Sequence, residues 1–171
     1  MKSTVWVALF ALLITSCVKP DASPEPQAMT AAETREYQIQ LQRERLEHER
    51  FAIQSFIDSS DWAFEDYGNG LWISKIVDVG CTQSKDTNDA TIIHDVLMSL
   101  GGVPYTGHSA REFPLLRDQD VAWGIQQAIL GCCPGDSLAI IIPTHLAHGV
   151  AGDMANVPPM STVLCYLRIL K

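Results

Sequence analysis

The chain has 171 residues and sets 12 lysines and arginines against 20 aspartates and glutamates, a formal charge of −8 with the histidines neutral. So acidic a chain offers no basic surface for phosphate contacts, which excludes the nucleic-acid-binding classes. Its length suits one domain with a tail, and neither repeats nor low-complexity runs break it up.

Lys2 followed by the apolar run "VWVALFALLI" reads as a secretory signal, too short and wrongly flanked for a membrane span. The run closes on "ITSC", which resembles the bacterial lipobox, where cleavage precedes a cysteine that becomes acylated. The expectation is a signal peptide over residues 1–16 and lipid attachment at Cys17. Acyl chains contribute about 0.8 kcal/mol per buried CH₂, so they hold a soluble domain at a membrane without a spanning helix. Cleavage removes one lysine and no acid, leaving 11 − 20, or −9. Val18 rather than an aspartate follows Cys17, which favours the outer membrane over the inner, with the soluble part facing the periplasm. Residues 17–30 include "VKPDASPEPQAMT", whose three prolines and lack of apolar periodicity suit a flexible tether.

Over residues 31–60, Ile39, Leu46 and Ile53 recur every seven positions, Ile57 follows four later, and charged residues fill the gaps. That spacing predicts an amphipathic helix with a narrow apolar stripe, used to dock on its own domain. Three heptad positions are too few for a coiled coil, and the oligomeric state stays open. From Trp62 the period shifts towards two. "GLWISKIVDVG", "ATIIHDVLMSLGG", a shorter "AREFPLL", "SLAIIIP" and "TVLCYLRIL" read as strands between glycine and proline punctuation. A short helix fits "DVAWGIQQAILGC". Short turns and the lack of a βαβ rhythm predict an α+β fold over residues 61–171, an antiparallel sheet wrapped on a short helix behind the N-terminal helix.

Cysteine and histidine chemistry is sparse. An oxidising envelope permits a disulfide among Cys81, Cys132, Cys133 and Cys165, but spacing does not reveal a pairing. Cys132 and Cys133 read as small buried apolar filler, and "GCCPGD" lacks the spacing of a redox motif. His145 and His148 stand three apart, yet no third ligand is near, so no metal and no other cofactor is expected. His94 and Asp95 read as a structural pair. Trp123 suits either an exposed client contact or burial against the N-terminal helix.

"GIQQAILGCCPGDSLAIIIPTHLAHGVAGDMANVPPMSTVLCYLRI" carries a resemblance. Its glycine, short helix, "GD", strand, "P..LA.G" loop, "VPP.ST" and final strand resemble the FKBP-type peptidyl-prolyl isomerases. The likeness covers about Ile92 to Lys171, and "HLAHGVAGD" is similar to the lipoprotein branch associated with gliding motility. It implies an FKBP-like domain whose loop from His148 to Pro159 overhangs an apolar pocket, stiffened by two prolines. It also implies a final strand held on both edges.

The resemblance carries the family's pocket positions onto Phe113, Val121, Ala122, Ile125, His148 and Val157. Val121 and Ala122 match the pair that borders the pocket and offers a backbone N–H. Ile125 stands where the family has a floor tryptophan, and His148 where it has a tyrosine. Three further positions depart: Asp95 replaces a tyrosine, Thr106 an aspartate and Cys165 a phenylalanine. Fewer aromatics imply a larger, less dry pocket. The implied function is prolyl isomerisation of proline-containing envelope or exported clients, with the membrane engaged only through Cys17. The alternative is a weak or inactive FKBP-like chaperone or scaffold module that binds proline-containing segments.

Overall fold

The computed structural model describes residues 29–80 and 90–171; the expected signal sequence, Cys17, most of the tether and Cys81 lie outside the described residues. The chain parts into two compact units after Gln42, inside helix α1 (Ala31–Ser59). In the first unit α1 opens on a reciprocal capping box. Thr30 Oγ1 accepts the Glu33 N–H at 3.3 Å and Glu33 Oε2 accepts the Thr30 N–H at 2.7 Å. Two donors that a helix start leaves orphaned are thereby satisfied. Ile39, in this unit, is exposed. No described helix is long and apolar enough to cross a membrane.

The second unit holds a six-stranded antiparallel sheet in the order β1-β2-β5-β6-β3-β4. Its strands are β1 (Glu65–Asp66), β2 (Trp72–Val77), β3 (Ala90–Met98), β4 (Pro104–Pro114), β5 (Ser137–Ile142) and β6 (Val163–Ile169), with helix α2 (Trp123–Ile129) between β4 and β5. This is the expected α+β architecture, and the last strand is central as the resemblance implied. Two elements differ from expectation. β4 begins at Pro104 rather than near Ala110, because Thr106, Gly107 and His108 of this edge strand lack an apolar period while still pairing with β3. The two-residue β1 is too short to leave a pattern.

Period-two alternation splits the sheet into an inner and an outer face. Inward go Ile93, Leu97, Leu138, Ile140, Cys165 and Leu167, all at most 3% exposed, against Ile125, Ala128 and Ile129 of α2. Each fully buried side chain of this size contributes about 1.5–3 kcal/mol. α2 lies close to the sheet because Gly124 has no Cβ; one built there would collide with Ile142 Cγ2. Outward go Ile141 and Leu164, which Ile53 of α1 covers with Phe56, Ile57, Phe64 and Trp72 packed around them. Trp62 stacks edge-on to Tyr166 at 5.0 Å between centroids. The predicted stripe thus docks from Ile53 onward, whereas Leu46 stays exposed.

The cysteines divide. Cys132 and Cys165 are free and buried. Cys133 is disulfide-bonded, which corrects its reading as filler.

Candidate functional site

A bulge in β4 shapes one wall of the inner face. Ile93 pairs with Arg111 and Asp95 with His108, so two residues on β3 span three on β4. The extra residue brings Arg111 and His108, three apart, to the same face as Asp95. Asp95, with no exposed surface, accepts a hydrogen bond from Arg111 Nη2 at 2.9 Å, and His108 Nδ1 lies 3.2 Å from its Oδ1. The Arg111 guanidinium sits 6.0 Å above the Phe113 ring, a cation–π distance. His94 points the other way and is exposed, so Asp95 pairs across the strands and not with its sequence neighbour, as had been expected.

The approach to α2 forms a second wall. Gln126, buried, donates from Nε2 to the carbonyls of Asp118 at 2.7 Å and Val121 at 2.8 Å. This fixes the segment carrying Val121 and Ala122, which lacks a side-chain cap of its own. Ile125, one turn on, faces the sheet with no exposed surface. Trp123 stands 44% exposed and is not buried.

The connection from Pro143 to Thr162 covers the inner face. Its start is tied to α2 by the Gly124 N–H donating to the Leu146 carbonyl at 2.8 Å. Further on, Asp153 Oδ1 accepts the N–H groups of Ala155, Asn156 and Val157 at 2.9, 2.7 and 2.7 Å. Desolvation pushes the Asp153 carboxyl up, but these three donors outweigh it and hold it below its usual range. Val157 is buried in the inner cluster while the two prolines after it are exposed. At the base of the loop, Glu49 Oε1 accepts hydrogen bonds from Thr144 N–H, Thr144 Oγ1 and Thr162 Oγ1, each at 2.7 Å. Burial raises its pKa and the threonines lower it, with the lowering dominant.

His148 sits half-buried in the loop, and its Nε2 has no hydrogen-bond partner among the described residues. Desolvation lowers its pKa, with Asp153 opposing and Arg111 adding to the shift, so the neutral imidazole prevails at neutral pH. Cys165, at the centre of the inner face, is pushed well above the ordinary thiol range by burial, further by Asp95, with Arg111 opposing. It is therefore a thiol and not a thiolate.

Phe113, Val121, Ala122, Ile125, Val157 and Cys165 thus meet in one apolar cluster. Asp95 lies on the same face, with Thr106 half-buried opposite Leu97 and His148 in the loop above. Ile125 and Cys165 have no accessible surface. Sequence reasoning missed Arg111, His108 and Glu49. A buried carboxylate at Asp95 was the one clue that a cation must be near. Among the described residues no group of three His, Cys, Asp or Glu side chains is placed to hold a metal.

The sequence model of the family described as FKBP-type peptidyl-prolyl cis-trans isomerase matches residues 82–167. FK506-binding protein 2 of Yarrowia lipolytica is 31% identical over 96 residues, 54% of this chain and 66% of that protein. Mouse peptidyl-prolyl cis-trans isomerase FKBP10 is 40% identical over 47 residues, 28% of this chain but only 8% of its own length. Among solved structures, a peptidyl-prolyl cis-trans isomerase from Pseudomonas syringae superposes with a TM-score of 0.63 at 16% identity, covering 75% of this chain and 93% of that one. FkpA from Escherichia coli follows at 0.61 and 15%, covering 84% of this chain and 73% of that one. Sheet order, covering loop and sequence match therefore agree, and the chain belongs to the FKBP-type peptidyl-prolyl cis-trans isomerase family.

Proposed function

We propose that this chain accelerates cis–trans isomerisation of X–Pro bonds in envelope or exported proteins, as a lipoprotein of the gliding-motility-associated branch held through Cys17. Its clients carry proline, and the domain of residues 61–171 works on the periplasmic side, with the outer membrane favoured. The tether of residues 17–30 and the helix of residues 31–60 separate that domain from the anchor. The observation that best supports the activity is Phe113, Val121, Ala122, Ile125 and Val157 meeting under a pinned loop.

Rotation about the X–Pro bond meets a barrier of about 18–20 kcal/mol from amide resonance, while the isomers differ by only about 0.5–1 kcal/mol. No bond is made or broken. Catalysis requires only that the site bind the twisted amide more tightly than either planar form. The twisted nitrogen has lost conjugation, so an apolar surface that strips water from the amide favours it. Phe113 and the branched side chains, closed beneath the loop in this structure, supply that surface when a client parts the loop from them. His148 Nε2, at the loop, supplies a polar atom for the client backbone. A protease-coupled or NMR-exchange assay with the purified chain tests this: acceleration that disappears in Phe113→Ala supports the site, and none from a folded chain rejects the enzyme.

One observation favours a second reading. Ile125 and Cys165 have no accessible surface, as suits a binding module that has kept the fold and closed the floor. Such a module binds proline-containing segments without speeding their exchange.

A further inference from the structure

Family resemblance does not reach Glu49, which precedes the matched stretch of residues 82–167, yet this residue touches both feet of the covering loop. β5 ends at Ile142 and β6 begins at Val163. Thr144 and Thr162 are therefore the second and last residues of the span between them. One oxygen of Glu49 gathers three donors from these two threonines, 95 and 113 positions away in sequence. The tie continues into the loop: the Thr144 carbonyl accepts the Gly149 N–H at 2.9 Å, and the Gly149 carbonyl accepts the Met160 N–H at 2.9 Å. His148 is the residue before Gly149. A second, weaker tie runs from Arg45 Nη1 of α1 to Met160 Sδ at 3.4 Å.

We propose that Glu49 is a positioning residue for the candidate site: α1 clamps the feet of the loop and so sets where His148 and Val157 stand above the inner face. This rests on the reading that proline segments bind beneath that loop. Hydrogen bonds to a charged acceptor are stronger than neutral ones, and a single oxygen shared by both feet couples their positions. Removing it frees the two threonines independently, so the loop gains alternative arrangements and a bound segment must then order it.

The experiment compares the full chain with Glu49→Ala, Glu49→Gln and, as a control, Asp58→Ala, whose side chain accepts a hydrogen bond from Gln54 of the same helix. Amide hydrogen exchange is followed by NMR at Gly149, Val157 and Met160 and, as core reporters, at Ile140 and Leu167. Affinity is measured for the probe peptide Ala-Leu-Pro-Phe. In Glu49→Ala, loop exchange is expected to rise about tenfold, the equivalent of one lost charge-assisted hydrogen bond, with core protection kept. Peptide affinity is expected to fall roughly fivefold as the loosened loop must be ordered. Glu49→Gln keeps an oxygen acceptor and recovers part of both, and Asp58→Ala changes neither.

Loop and core exchange rising together would reduce Glu49 to a general stabiliser and overturn the proposal. So would unchanged loop exchange, or a loosened loop with undiminished affinity. Absence of X–Pro acceleration in the unaltered chain defeats the enzyme reading alone, since exchange and affinity still decide the role of Glu49. If the unaltered chain does not bind the peptide either, the binding premise fails and the proposal falls with it.

Discussion

The two faces of the sheet bury apolar side chains in the same way and treat polar groups differently. On the outer face, α1 brings one carboxylate to the edge of the packing, and a single oxygen of Glu49 receives three hydrogen bonds. On the inner side, Thr91 Oγ1, Arg111 Nε, Gln126 Oε1 and His148 Nε2 are buried without a hydrogen-bond partner among the described residues. Each such atom costs about 1–3 kcal/mol. A fold that satisfies its polar groups at a scaffold contact but leaves several wanting on one face concentrates its unmet demands where a ligand can answer them.

The largest test of this contrast is Arg111→Met, which strands the fully buried Asp95 carboxylate. A loss of about 3–4 kcal/mol in urea unfolding is expected, towards the lower end for such pairs because the Arg111 side chain is 21% exposed. Replacing Asp95 by Leu as well should return most of it; no recovery would show that the pair supports the fold and not the site. On the outer face, Ile53→Ala should cost about 2–3 kcal/mol by the cavity it leaves, with peptide affinity unchanged. A drop in affinity there would blur the division between faces. Gly124→Ala should cost about 1–2 kcal/mol as α2 is pushed off Ile142, measured by the same unfolding curves.

The smallest effect is in pH. His148 has a lowered pKa in the folded chain, so the unfolded chain takes up its proton first as pH falls below the ordinary value of 6.5. Its contribution to stability is therefore flat above that value, declines through the window between the unfolded and folded pKa, and levels off below. The difference in urea midpoint between the unaltered chain and His148→Gln, at about pH 7.5 and 5.5, isolates this contribution from the other titrating groups.

Much of the fold was legible because glycines and prolines bracket the apolar runs, as Gly135 and Pro143 bracket "SLAIII" in β5. The beginning of β4 was not, since an edge strand carries polar residues that look like loop. Site positions on Phe113, Val121, Ala122, Ile125 and Val157 could be placed from the resemblance, and their convergence follows from strand alternation plus one helix turn. His108 needed the bulge: counted by simple alternation from Phe113 and Arg111, it falls on the opposite face. Glu49 was hidden for a different reason. It belongs to the charged positions between stripe residues, and nothing local announces partners that only the closed sheet delivers.

The central place of β6 bears on how the molecule comes into being. β1, β2 and β5 form one ladder and β3 and β4 another, and among the described strands they are joined through β6, Val163–Ile169, which comes after both in sequence. A growing polypeptide therefore carries two half-sheets with open edges, each inviting a wrong strand, until that segment arrives. The inner cluster on which the candidate site depends cannot assemble earlier either, because Cys165 and Leu167 supply its middle. A domain built this way closes late, and its open edges need protection until the central strand pairs.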